Sequence, residues 1–215
     1  MTCPLCLSKN YSEFYKDKFR EYLQCSNCDF VFVCVPTPMY EDGSQDISYV
    51  ESAFEKANSG PLYILKSTVL PGTIEREIKP LLNDKMKLCY NPFFIAMGTT
   101  INDFLNPEFV LMGIDDKDAA DKLKLFYKTL HNKEVFECTL DEAELIKVSY
   151  NTFITMKICL ANTVAEMSHK LNNINSDNVM DALKLANQRL ISDKYLNGGM
   201  GDGGGCHPRD NIALS

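Results

Sequence analysis

From residue 30 to residue 139 the chain alternates short apolar runs with stretches of helical spacing. FVFVCVP (30–36) is continuously apolar, as a strand buried on both faces must be. ISYVESAFEKAN (47–58) repeats apolar residues at helical spacing and stops near Gly60-Pro61. LYILKSTV (62–69) predicts a second strand, PGTIEREIKPLLN a loop leading into a helix, and KLCYNP a third strand. EFVLMGI (108–114) follows as a fourth, DAADKLKLFYKTL (118–130) as a helix and KEVFEC as a fifth strand. Strands separated by helices of this length specify βαβ units, hence an α/β fold with a mostly parallel sheet.

The pattern changes twice more. From Leu140 to about Leu171 there is neither proline nor glycine, which predicts one helix of roughly 45 Å at 1.5 Å per residue. Such a helix is longer than one small domain covers, and suits a spine between domains or subunits. A shorter helix over 176–188 follows, with Ser176 as its N-cap. Then six of the eleven glycines crowd into the eight residues before Cys206. Residues 1–29, by contrast, are poor in aliphatic side chains and hold Cys3, Cys6, Cys25 and Cys28. The organisation expected is therefore 1–29, 30–139 and 140–215.

The four early cysteines stand as C-x2-C-x18-C-x2-C, two chelating knuckles at the spacing that structural zinc with four thiolates requires. So small a segment buries too little surface to fold alone, and metal would supply its folding free energy. A redox CxxC and plain core cysteines are the other readings of these residues. Residues 3–33 also resemble the zinc-ribbon head that precedes some class I methyltransferase domains, although no such domain follows. Cys34, Cys89, Cys138 and Cys159 fall in strand or helix patterns and read as core residues.

Charge and composition narrow the partners. A net charge of −7 leaves no basic footprint for nucleic acid or an anionic membrane. No apolar run is long enough for a transmembrane helix, and MTCPLCLSKN lacks the apolar core of a signal peptide. Nine scattered cysteines, an odd number, fit reduced thiols in the cytoplasm better than a secreted disulfide framework.

VFVCVPTPMYEDGSQDISYVES, KSTVLPGT, YNPFFIAMGTTINDFLNPEFVLMG, AELIKVSYNTF and YLNGGMGDGGGCHPRDN, in this order and spacing, resemble the UDP-glucose/GDP-mannose dehydrogenase family. The resemblance implies a partial, Rossmann-like NAD-binding sheet over 30–139, then a central helical region that pairs two subunits through the long helix. It implies oxidation of a sugar C6 alcohol to a carboxylate on a nucleotide sugar such as a UDP-hexose, with NAD as oxidant. Cys206 matches the nucleophile, which would form a thiohemiacetal and then a thioester; alone, it also reads as a small cysteine in a glycine loop. Lys147 and Asn151 share a helix face and match the pair that holds the oxyanion. Asp210 matches an aspartate that activates water or tunes Lys147, and Thr68 a threonine near the reacting carbon. Tyr195 and the glycines after it, Gly203 among them, match a segment that contacts the sugar nucleotide. Val35, Pro36 and Thr37, with Ser67 and Thr68, lie at strand carboxyl ends, where dinucleotides sit in open parallel sheets.

The chain also departs from the family pattern. Where one branch reads NPEFLxEG, this chain reads NPFFIAMG, so Phe93 and Met97 replace carboxylates. His207 and Arg209 replace the aromatic and the lysine after the cysteine; His207 reads either as a substitute acid/base or as a packing residue. No G-x-G-x-x-G precedes Val31, so the chain reads as a ribbon joined to an internal, truncated piece of a dehydrogenase. On that reading the chain alone is expected not to sustain NAD-dependent oxidation of UDP-sugars. The competing readings are a non-catalytic remnant that pairs through the long helix and a zinc-ribbon interaction or scaffold protein.

Overall fold

The computed structural model describes residues 11–16, 21–25, 30–55, 62–96 and 98–191, the first two stretches by their backbone. The chain divides into two compact units, Met1–Thr152 and Phe153–Ser215. The first unit holds both sheets. Strands β1 (Tyr11–Lys16) and β2 (Glu21–Cys25) form an antiparallel hairpin in which Tyr11 faces Cys25. Both strands follow the second cysteine in the sequence, and β2 ends on the third.

The larger sheet has the order β3 (Phe30–Val33), β4 (Leu62–Leu65), β5 (Lys87–Tyr90), β6 (Val110–Ile114), β7 (Val135–Cys138). All neighbours are parallel except β5 and β6, which pair Tyr90 with Gly113 in antiparallel register. That single reversal puts the amino ends of β6 and β7 at the edge where β3, β4 and β5 end.

Strand alternation sorts side chains to two faces. Val31, Val33, Tyr63, Leu65 and Leu88 pack with Val50 and Phe54 of α1 (Ser48–Glu55), with Ile74 and Ile78, and with Leu140 and Ala143. Leu62, Ile64, Cys89 and Met112 pack on the other face with Ala119, Leu123 and Phe126 of α3 (Lys117–Lys128). Each such buried aliphatic side chain contributes about 1.5–3 kcal/mol. α3 starts at Asp116, whose carboxylate accepts the Ala119 N–H at 2.8 Å. Gly113 lets the next helix approach the sheet: a Cβ there would sit 2.7 Å from the Ala143 Cβ and 3.2 Å from the Leu140 Cα.

Three local features differ from the sequence expectation. PGTIEREIKPLLN forms a π-helical turn, Ile74–Ile78, and a 3-10 turn, Lys79–Leu81, rather than an α-helix, because Pro80 has no N–H to continue the α pattern. A short helix, α2 (Thr100–Leu105), sits in the segment after NPFF. The cap of α5 (Ser176–Lys184) is Asn175, not Ser176; its Oδ1 accepts the N–H of Asp177 at 2.8 Å. The proline- and glycine-free stretch is one helix, α4 (Leu140–Lys170). Among the described residues no helix is long and apolar enough to cross a membrane.

Candidate functional site

The carboxyl ends of β3 and β4 are stapled together by side chains. Ser67 Oγ accepts the Val35 N–H at 2.9 Å and donates to the Val35 carbonyl at 2.7 Å. Thr37 Oγ1 donates to the Thr68 carbonyl at 2.9 Å, and Gln45 Nε2 reaches the same oxygen at 3.1 Å. The hydroxyls of Ser67 and Thr37 are therefore committed to shaping this edge. Thr68 is half-buried, and no hydrogen bond among the described residues engages its hydroxyl. For a dinucleotide the edge offers the exposed Pro36 and the half-buried Thr68, whose hydroxyl is not engaged by a hydrogen bond among the described residues.

Lys147 is no solvated helix lysine. It is 6% exposed, and its Nζ donates to Asn151 Oδ1 at 3.1 Å, one turn along α4. The Phe94 ring lies 4.8 Å from Nζ and the Tyr150 ring 5.9 Å. These rings pack edge-on at 4.5 Å, and Tyr150 OH donates to Glu108 Oε2 at 3.1 Å. Burial pulls the Lys147 pKa below the ordinary lysine value. Ring faces and an amide oxygen hold the charge here, and no carboxylate among the described residues lies within ion-pair distance. Such an ammonium can stabilise an oxyanion or, deprotonated, receive a proton.

One turn earlier, Glu144 is fully buried; its carboxylate accepts the N–H of Gly72 at 2.5 Å and of Ile74 at 2.8 Å. Burial raises its pKa, while the two N–H donors oppose the rise. The carboxylate caps the turn after LPGT, so α4 and the loop carrying Thr68 are fixed to one another.

A second buried amine stands where β4 ends. Lys66 is 4% exposed; its Nζ donates to Asn91 Oδ1 at 2.6 Å and to Tyr127 OH at 2.9 Å. Tyr127 OH donates to Asn91 Oδ1 at 2.5 Å, and Asn91 Nδ2 to the Leu111 carbonyl at 2.6 Å. The Phe93 ring covers the amine, with Nζ 3.7 Å from its centroid. Burial lowers the Lys66 pKa to about 7, with Cys34 pulling the other way. Sequence reasoning gave Lys66, Asn91 and Glu144 no role. The signal available was their place in KSTV, YNP and AELIK, each at the exit of a strand or the start of a helix.

The structure thus joins Lys147 to Asn151, and Val35 and Thr37 to Ser67 and Thr68. Cys3, Cys6, Cys28, Met97, Tyr195, Gly203, Cys206, His207, Arg209 and Asp210 lie outside the described residues, and Cys25 is described by its backbone alone. Among the described residues no cluster of His, Cys, Asp or Glu could hold a metal ion.

Residues 8–131 match the sequence profile of the UDP-glucose/GDP-mannose dehydrogenase family, NAD binding domain, and residues 141–215 that of its central domain. The UDP-glucose 6-dehydrogenase of Rickettsia conorii is 30% identical over 97% of this chain and 53% of its own length. The GDP-mannose 6-dehydrogenase of Pseudomonas aeruginosa is 29% identical over 87% of this chain and 46% of its own. The crystal structure of a ternary complex of GDP-mannose dehydrogenase from Pseudomonas aeruginosa superposes with a TM-score of 0.80, covering 86% of this chain and 46% of that one at 28% identity. A UDP-glucose dehydrogenase from Pyrobaculum islandicum gives 0.70 at 31% identity, over 86% of this chain and 45% of its own. The chain spans about half the length of the relatives it matches.

Proposed function

The chain belongs to the UDP-glucose/GDP-mannose dehydrogenase family, and from that premise we propose that it carries the chemistry of a nucleotide-sugar 6-dehydrogenase acting on a UDP-hexose. The C6 alcohol is taken to a carboxylate in two oxidations. Cys206 adds to the C6 aldehyde as a thiohemiacetal, and water cleaves the thioester that follows. Lys147 and Asn151 stabilise the oxygen as charge develops on it. Asp210 positions or activates the water, and Thr68 offers its hydroxyl beside the reacting carbon. Tyr195 and Gly203 contact the sugar nucleotide. Val35, Pro36, Thr37, Ser67 and Thr68 would hold the nicotinamide half of NAD, which supplies the hydride acceptor when bound.

The observation that carries this reading is the burial of Lys147 against two aromatic rings with Asn151 as its hydrogen-bond partner. A lysine kept for solubility would not be desolvated, and desolvation strengthens the pull of an ammonium on developing negative charge. Four thiolates, Cys3, Cys6, Cys25 and Cys28, hold a structural zinc, with the β1–β2 hairpin as the arm between knuckles. The protein works in the cytoplasm, where these thiols stay reduced.

A second reading has its own support. Phe93 stands over Lys66 where one branch of the family has a carboxylate. On that reading the chain is a non-catalytic scaffold that pairs through α4. Calorimetric titration with NAD and with UDP-glucose, separately, decides between them. Binding of both supports the dehydrogenase, and binding of neither supports the scaffold.

A further inference from the structure

Strands β3, β4 and β5 end on one row of residues. Val33, Leu65 and Tyr90 are register partners, and the pairing runs one residue further. The Lys66 N–H donates to the Val33 carbonyl at 2.8 Å and the Asn91 N–H to the Leu65 carbonyl at 2.9 Å. Cys34 therefore stands beside Lys66, and Lys66 beside Asn91, on strands about 4.8 Å apart. Cys34 is held there from its other side too, since Ser67 Oγ accepts the Val35 N–H at 2.9 Å.

Strand alternation puts the three side chains on the α3 face. Phe32, two residues before Cys34, packs on Phe126 with 5.3 Å between ring centroids. Ile64 and Cys89, two residues before Lys66 and Asn91, lie in that same core. The hydroxyl of Tyr127, on α3, meets Lys66 Nζ at 2.9 Å and Asn91 Oδ1 at 2.5 Å. The apolar run predicts a core cysteine at 34, but Cys34 is exposed, whereas Cys89 is buried. The row thus runs from a thiol at the surface to a buried amine and a buried amide.

The amine lacks a carboxylate. Its hydrogen-bond acceptors, Asn91 and Tyr127, are neutral, and among the described residues no carboxylate forms an ion pair with it. Asn91 does not ionise, and the Tyr127 hydroxyl, already bonded to both neighbours, has its pKa raised by burial. The charge that offsets burial of the Lys66 ammonium is that of Cys34. An ammonium that water does not screen favours the thiolate of a cysteine beside it.

We propose that Cys34 is a reactive thiolate, held in that form by Lys66, and a site of reversible mixed-disulfide formation with low-molecular-weight disulfides. The thiolate attacks one sulfur of the disulfide; a new S–S bond forms, the old one breaks, and the other sulfur leaves as a thiolate. Cys34 is oxidised and the leaving half is reduced, so the disulfide itself is the oxidant, and a thiol in excess reverses the step. The reagent has to reach only Cys34, at the surface, while Lys66 acts from beneath through its charge. Neither residue has a part in the dehydrogenase reading, and the inference does not depend on it.

The test treats the reduced full chain at pH 7 with hydroxyethyl disulfide, an uncharged probe that a net charge of −7 does not repel. Peptide mass spectrometry follows the mixed disulfide at Cys34, and the synthetic peptide FVCVPTP, residues 32–38, is the reference thiol. Cys34 of the folded chain should react at least roughly threefold faster than the peptide. A thiol brought near ambient pH gains about tenfold in thiolate and loses part of that gain in nucleophilicity. Lys66→Met should return the rate to that of the peptide, and Phe93→Glu, which gives the amine a competing carboxylate, should also slow it. A wild-type rate no higher than the peptide's, or one that neither substitution lowers, overturns the proposal. The wild-type comparison decides by itself if neither variant folds.

Discussion

Lys66 has neutral oxygens and a phenylalanine ring where a buried cation would ordinarily have a carboxylate. Its folded pKa, about 7, lies below the ordinary 10.5. Between these values the unfolded chain binds the extra proton, so the Lys66 contribution to stability rises with pH through that window. Below pH 7 both states are protonated, and the full cost of burying the charge is present. Urea unfolding of wild type and Lys66→Met from pH 6 to pH 10 should show wild type gaining on the variant above pH 7; parallel profiles would refute this. Phe93→Glu should give the amine a counter-charge and remove that gain. Lys147 was singled out in the sequence by the resemblance of AELIKVSYNTF to the family, and four-residue spacing adds only that Asn151 shares its helix face. Lys66 was not, because burial at a strand exit is set by Phe93, Asn91 and Tyr127, which come together only in the folded chain.

At the scale of elements, one carboxylate fixes α4 against the loop after β4. Glu144→Ala would leave the N–H groups of half-buried Gly72 and buried Ile74 without that acceptor, a loss of roughly 3 kcal/mol. Glu144→Gln keeps one acceptor and should recover about half of that. Thermal unfolding of the two variants measures both, and equal stability of all three chains would show that the cap contributes nothing. Each strand of the large sheet and the long helix could be read from apolar runs and from the absence of proline and glycine. The π-helical turn could not, since TIEREIKPLL has helical spacing up to Pro80 and only the missing N–H breaks it. Asn175 outcompetes Ser176 as cap because its side chain reaches the N–H of both Asp177 and Asn178.

At the scale of the whole molecule, α4 leaves Phe153, Met156, Ile158 and Leu160 between 45% and 62% exposed. Phe153, Met156 and Leu160 share one face of α4, and that face is what a second copy would cover in the homodimer that the family resemblance implies. Sedimentation should find a dimer, and Leu160→Asp with Met156→Glu a folded monomer; a wild-type monomer at all concentrations would rule the dimer out. Metal analysis should find about one zinc per chain, lost on Cys25→Ser, whereas protein purified without chelator and free of zinc would remove the ribbon. The antiparallel β5–β6 joint could not be read from apolar runs, which carry no strand direction.

The central claim is that Cys206 and Lys147 act on the same nucleotide sugar. Alkylation of Cys206 by iodoacetamide, followed by peptide mass spectrometry with and without saturating UDP-glucose, tests it most directly. UDP-glucose should slow alkylation of Cys206 at least tenfold in wild type, and Lys147→Met should abolish most of that protection. An alkylation rate indifferent to UDP-glucose, or protection untouched by Lys147→Met, would contradict it.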